Sequence, residues 1–555
     1  MTRAEVPPWC LAGMALVPYA TVPLSLEAGL RTQAGLLVIA LVVVAWSGRQ
    51  SLRDAFGRLP PAVRVGLCLY AGAALWGAVV GAFAAHPSRS VVSQLVSLWL
   101  LPAAALAFGK HPDLDGEALV RALGWAATAA AAFHAVGLAV PRLAGDLSGH
   151  FGFELRNSIG IVGLAPLLWL VGLALVCART QPASALVPVV AAGVLCFCAQ
   201  SRGGWLISAA GSLGILLLVQ RRSILVRLLV GALAVAPLVA TAAAWASARA
   251  EPVPVVDGRA PTRLESPDAA GAFSEAFGEG AIEGAALEVS AVLRGVRGRR
   301  LWVWADFSDE EGRALGRQSA EVIGTGDWRG WSELLAAPPG ARSFRAGLRL
   351  DPGQGAWEAE GVSATVVKSR LVGLGRQLRR RASSLGRVLA DPGADSAIAY
   401  RLAEARLVLD GWRRAGTARR IAGFGLGATI ELPHATFDDE GRRAVAPRSS
   451  YLHNFYLFLL YKLGLGGAAA LAGLALITGW TVRSALSLRA RPESSWLLAG
   501  VGVALLAYLV WSLTSPEIYD FRIAPLWGAM LAACGRAAER GPSVGPAGPG
   551  DGRPA

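Results

Sequence analysis

His453 opens an apolar run, from Tyr451 to Gly467, that follows a long polar stretch. Ionisable groups are costly in lipid, so a histidine at the lip of a hydrophobic helix is a functional candidate by position. Histidine is also the side chain that ordinarily titrates near neutral pH, which suits it to take and return a proton. The plainer alternative is a capping or hydrogen-bonded histidine at a helix start. Arg202 is a second candidate. It begins another apolar run beside Gly203 and Gly204, whose missing side chains would let a bulky group approach. Its alternative is an interfacial arginine that snorkels to water. His434, shortly before His453, is a candidate for holding an acceptor, against the reading of a solvated loop histidine.

The elements that position these residues follow from composition. The chain has 555 residues, 54% hydrophobic and 17% charged, with mean hydropathy +0.46. That excludes an ordinary soluble protein and predicts many membrane spans. Net charge is +14, from 53 Lys and Arg against 39 Asp and Glu. In a membrane protein such an excess reflects topology and contact with anionic lipid. No basic-aromatic module is present, so no nucleic-acid partner is expected. The six cysteines lie in or beside apolar segments, and Cys196 and Cys198 do not have Cys-x-x-Cys spacing. Neither a disulfide framework nor a cysteine metal site is predicted. Asp438, Asp439 and Glu440 form the one tight acidic cluster near His453, and a solvated turn accounts for them. No metal and no cofactor are expected.

Runs long enough to cross a bilayer fall near 7–25, 31–47, 62–85, 91–108, 118–140, 157–178, 184–200, 204–220 and 224–247. Three more fall near 452–480, 495–513 and 518–535. The chain is thus read as a polytopic α-helical membrane protein of about twelve transmembrane helices. With the N-terminus inside, inner loops hold Arg49, Arg53, Arg58, Arg64, Lys110, Arg221, Arg222 and Arg489 among others. Outer loops hold only Arg31, Arg89, Arg142, Arg156, Arg202 and Arg522. This positive-inside bias places residues 248–450 outside. In the last outer loop, Arg522 is read as an ion-pair partner of Glu517 or Asp520.

The outer insert divides by pattern. Residues 248–285, rich in Pro, Gly and Ala, read as a linker. Alternation over 286–367, with turn signals such as Pro338-Pro339-Gly340, predicts an all-β sandwich or jelly roll. Trp328-Arg329-Gly330-Trp331 and Gly355-Ala356-Trp357-Glu358 resemble the corresponding segments of carbohydrate-binding jelly-roll modules. Exposed tryptophan faces stack on sugar rings; the alternative places Trp302, Trp304, Trp328, Trp331 and Trp357 in the core. Residues 368–450 read as a helical segment bordering the site. It begins with a basic amphipathic helix over 368–389, suited to an anionic membrane surface or to solvent. A second helical stretch, roughly 396–414, leads to a flexible turn, Gly423-Phe424-Gly425-Leu426-Gly427. Residues 1–247 and 451–535 form the membrane domain, and 536–555 a disordered cytoplasmic tail.

His453-Asn454, nine residues, Gly464, two residues and Gly467 resemble the ligase signature of the O-antigen ligase and O-antigen polymerase superfamily, His-Asn/Ser/Gln-x9-Gly-x-x-Gly/Thr/Tyr. Gln200-Ser201-Arg202-Gly203-Gly204 is similar to its Ser-Arg-Gly segment, and Arg156-Asn157-Ser158 and Arg401-Leu402 to two looser ones. The resemblance covers about 10–250 and 395–535. It implies a GT-C-like glycosyltransferase of the bacterial inner (cytoplasmic) membrane, with the large insert in the periplasm. The implied donor is an undecaprenyl-diphosphate-linked glycan, and the acceptor a lipid A–core or glycan hydroxyl. His453 would be the general base. Arg202, Arg401 and Arg156 would bind the diphosphate, since a guanidinium stays charged and grips phosphate bidentately. Asn454 and His434 would complete substrate binding.

Polymerases of the superfamily use the same donor. From other classes, a polysaccharide transporter or flippase would be expected to show charged or broken mid-span helices and internal repeats. A membrane anchor for a sugar-binding module would need fewer spans.

Overall fold

A computed structural model describes residues 6–20, 26–114, 116–139, 161–178, 183–198, 201–218, most of 253–367, 396–431, three short pieces within 436–449, and then 452–488, 492–515 and 517–539. The helices are α1 (Val6–Ala20), α2 (Leu26–Ser47), α3 (Leu52–Arg58), α4 (Pro61–Phe83), α5 (Ser88–Gly109), α6 (Gly116–Ala139), α7 (Ile161–Ala178), α8 (Ala183–Cys198) and α9 (Arg202–Leu218). After the insert's strands come α10 (Ser396–Arg414), α11 (Thr417–Ala422), α12 (Phe455–Leu463), α13 (Leu465–Ser487), α14 (Pro492–Trp511) and α15 (Ala524–Glu539).

Helices occupy every expected apolar run except the ninth, 224–247, which lies outside the described residues. The tenth differs in form. The run expected as one span over 452–480 breaks at Gly464 into α12 and α13, because Gly464 takes φ 55° and ψ −126°. Only glycine adopts that conformation readily. Among the described residues, α4, α5 and α13 are long and apolar enough to cross a membrane. A fourth span results if Thr32–Ser47 and α3, bent by 91°, count as one. Small residues let these helices approach closely. Where α4 crosses α13, a Cβ on Gly66 would lie 2.6 Å from the Gly473 carbonyl oxygen.

The helical layer has two ends. At one, cationic and imidazole groups cover helix carbonyls: the Lys110 ammonium donates to Ala45 O, His111 Nε2 lies 2.9 Å from Val44 O, and Arg536 Nη2 donates to Gly109 O at 2.7 Å. Positive groups suit helix C-termini, where carbonyls are left unpaired. Twenty-two residues of α5 separate that end from Ser88, about 32 Å at 1.5 Å per residue. His453 belongs to the far end, with His86 and the glycine turn that follows α11.

The insert is a two-sheet β-sandwich. Its strands are β1 (Val253–Val256), β2 (Thr262–Glu265), β3 (Phe273–Ala281), β4 (Ala286–Gly295), β5 (Arg300–Ser308), β6 (Ala314–Ile323), β7 (Arg329–Ala336), β8 (Ser343–Leu350) and β9 (Ala356–Val367). One sheet runs β1-β9-β4-β7, with β2 also on β9, and the other runs β3-β8-β5-β6. The expected linker 248–285 therefore needs correction, since it supplies β1, β2 and β3. Their pairing is long-range: Val253 with Val366, Leu264 with Trp357, and Phe273 with Leu350. Trp357 and Trp304 are buried, and Trp331 packs against the core, whereas Trp328 is exposed under the Arg294 guanidinium.

Candidate active site

The His-Asn-x9-Gly-x-x-Gly spacing is the geometry of one short helix and its break. Asn454 is the N-cap of α12, with Oδ1 accepting from Leu457 N at 3.0 Å, so one orphan donor of the first turn is satisfied. The nine intervening residues are α12 itself. Gly464 is its C-cap, and its N–H donates to Leu460 O at 3.0 Å. Gly467 lies against the backbone of α12, where a Cβ would come within 2.6 Å of Leu459 O. Asn454 Nδ2 also donates to Leu513 O at 2.8 Å, and Phe455 N to Ser512 O at 2.9 Å, which fixes the start of α12 to the end of α14. Both polar atoms of Asn454, expected to meet substrate, are thus engaged within the fold.

His453 is held by a residue that sequence reasoning missed. Glu404, on α10, is almost wholly buried at 2% exposure, whereas His453 is 32% exposed. The carboxylate grips His453 at two points: Oε2 accepts from the backbone N–H at 2.9 Å, and Oε1 lies 3.2 Å from Nδ1. A carboxylate only accepts, so this contact places the ring proton on Nδ1 and the basic lone pair on Nε2. A buried base-orienting carboxylate behind a half-exposed imidazole is the arrangement that nucleophile activation requires. The structure puts Glu404, with Val408, on the buried side of an otherwise amphipathic helix, where an acidic residue needs a partner.

The glycine turn fixes the height of α10 and α11 against the helical layer. Gly423, Gly425 and Gly427 all have φ between 81° and 87°. Their alternation turns successive peptides toward the protein. Phe424 N donates to Tyr461 O, Gly425 N to Lys462 O, Leu426 N to Gly77 O and Gly427 N to Gln94 Oε1, at 2.8 to 2.9 Å. His86 Nε2 lies 2.8 Å from Phe424 O, and the buried Lys462 ammonium donates to Ala428 O. The expected flexible turn is therefore a docked one. Gly425 approaches α4 so closely that a Cβ would lie 2.4 Å from Gly81 N.

The other expected residues distribute as follows. Arg401 is half-buried on α10, one turn before Glu404. Arg202 opens α9, and only its backbone is described. Its neighbour Gly203 meets Trp511, where a Cβ would stand 2.2 Å from Nε1. Trp511 directly precedes the Ser512 and Leu513 carbonyls that hold α12, so the Arg202 backbone and His453 flank the same end of α14. Arg522 is forked onto Asp520, with Nε 2.7 Å from Oδ1. Arg156, His434, Asp438 to Glu440 and the basic segment 368–389 lie outside the described residues. Among the described residues no three His, Cys, Asp or Glu side chains converge on one point.

Asn454→Ala is expected to cost about 1 kcal/mol through the lost cap. Asn454→Asp keeps the accepting oxygen of the cap but loses the Nδ2 bond to Leu513 O and sets a carboxylate against that carbonyl, so it should recover only part of the loss. Thermal unfolding of the purified protein reads both.

No family model and no curated protein matches the chain. Part of it is similar to the structure of the infectious bursal disease virus VP2 subviral particle, with 12% identity, TM-score 0.17, and coverage of 21% of this chain and 32% of that one. A second similar structure is that of the infectious bursal disease virus Gx strain, with 15% identity, TM-score 0.17, and coverage of 21% and 30%. The chain spans about a third of the length of these structures, and likeness at this level carries no argument about fold or activity.

Proposed function

We propose that this chain is a twelve-span, GT-C-like glycosyltransferase of the O-antigen ligase type in a bacterial inner membrane. It moves an undecaprenyl-diphosphate-linked glycan to a hydroxyl of lipid A–core or of another glycan on the periplasmic side. The observation that carries the reading is the Glu404–His453 pair, whose histidine opens the ligase-like spacing at the lip of α12.

In this mechanism Glu404 holds the Nδ1 proton, and Nε2 of His453 takes the proton from the acceptor hydroxyl. The acceptor oxygen attacks the anomeric carbon, a new C–O bond forms, and the bond from that carbon to the diphosphate breaks. Undecaprenyl diphosphate leaves with both bonding electrons. Arg202, Arg401 and Arg156 are the proposed counter-charges, because fixed guanidinium groups stabilise charge as it develops. His434 assists with the acceptor. Asn454 serves by capping the helix that carries His453.

The exposed Trp328 of the sandwich favours a second reading within the same chemistry, a polymerase that holds a growing chain. Glycan analysis of a deletion strain separates the two. Unsubstituted lipid A–core together with full-length chains on the carrier lipid indicates a ligase, and single repeat units on the carrier indicate a polymerase. A normal glycan profile removes both.

A further inference from the structure

α11 is a six-residue helix with no buried residue and no side-chain cap on Gly416. Helices so short are unstable in water unless packing supports them. Here internal packing is meagre, yet the surface α11 presents is specific. Arg413 and Arg414 at the end of α10, and Arg419 and Arg420 on α11, are all exposed. Their partners within the protein are weak: Arg413 stands 3.8 Å from Asp410, Arg414 and Arg420 donate to backbone carbonyls, and Arg419 lies over the Phe424 ring.

Beside these four cations lies an apolar surface. Ile421 is 50% exposed, Trp76 of α4 45%, and Leu465 of α13 64%. The three adjoin one another. Trp76 Nε1 donates to Ala422 O at 3.1 Å, a Cβ on Gly466 would lie 3.0 Å from Trp76 Cδ1, and one on Gly464 would lie 2.3 Å from Ile421 O. α4 and α13, which supply Trp76 and Leu465, are two of the helices long enough to cross a bilayer.

The geometry points to the α10–α11 elbow as a docking surface for anionic phospholipid headgroups, with Ile421, Trp76 and Leu465 in the acyl boundary and the four arginines among the phosphates. This rests on the membrane placement proposed above. Aromatic and aliphatic side chains just below a row of arginines are what an interfacial segment requires. The docked elbow would steady α10 at the height the glycine turn gives it, and with it Glu404 behind His453. Each arginine near an anionic surface favours the docked state by about fivefold.

The test uses the full-length protein. Carbonate washing of membranes first checks the membrane placement, and release of the protein overturns both readings. Hydrogen exchange over residues 417–422 is then followed in nanodiscs of phosphatidylcholine alone and with rising phosphatidylglycerol. Exchange should slow by about tenfold or more with the anionic lipid, and the quadruple variant R413Q/R414Q/R419Q/R420Q should lose that response. A protein retained in washed membranes whose exchange ignores phosphatidylglycerol overturns the docking surface alone. Equal slowing by inorganic phosphate in phosphatidylcholine nanodiscs also overturns it, in favour of a free-anion site.

Discussion

Replacing His453 with alanine is expected to lower glycan transfer by about 10²–10⁴-fold, the range for a lost general base, or about 3–5 kcal/mol of barrier. Alanine also strips the buried Glu404 carboxylate of its ring partner, leaving the 453 N–H as the remaining bond of the described pair. A carboxylate deprived of a partner is costly, so some loss of stability should accompany the loss of rate. His453→Gln separates the two effects. Its side-chain amide can still face Glu404 but offers no basic nitrogen, so the protein should fold normally and remain inactive. Glu404→Gln makes the complementary point. An amide N–H facing Nδ1 favours the tautomer with its proton on Nε2, which removes the base without removing the imidazole, and activity should fall toward the same range. The rate of acceptor glycosylation, normalised to correctly folded protein, reads all three.

Gly464→Ala should be strongly destabilising, at about 3 kcal/mol or more. Two costs combine. The backbone there has φ 55° and ψ −126°, and an added Cβ would lie 2.3 Å from Ile421 O and 2.5 Å from Gly423 N. Both neighbours are backbone atoms, held by the docked turn, so neither can yield as a flexible side chain does. Gly479→Ala is the control. It lies in the same helix α13 with nothing within 4 Å of its Cβ position, and alanine there should be neutral or stabilising by up to about 1 kcal/mol. Chemical or thermal unfolding in one detergent compares them. Equal effects at the two positions would remove the helix break from the account of the motif.

The helices were legible because long apolar runs have few alternatives, and α4 and α5 fall where the runs do. The break at Gly464 was not, since both sides of it are equally apolar and hydropathy carries no information on backbone sign. β1, β2 and β3 were hidden for a different reason. β1 and β2 are four residues each, β1 with a proline inside it, and β3 lacks regular alternation, so none reads as a strand alone; they become strands by pairing with β9 and β8, far along the chain. At the site, His453 and the glycines could be read from spacing, although the spacing could not say that it encodes a cap, a nine-residue helix and a close approach. Glu404 escaped because an acidic residue on an arginine-rich helix reads as solvated. Only the packing of α10 against the start of α12 buries it.

The most direct measurement follows the donor. Purified protein in nanodiscs, given an undecaprenyl-diphosphate-linked glycan labelled in its lipid and an acceptor hydroxyl, should release labelled undecaprenyl diphosphate in step with acceptor glycosylation. The same preparation of His453→Gln should release almost none. Full release by that variant, or a wild-type protein that moves the intact donor across the bilayer without cleaving it, would contradict a base-assisted transfer at His453.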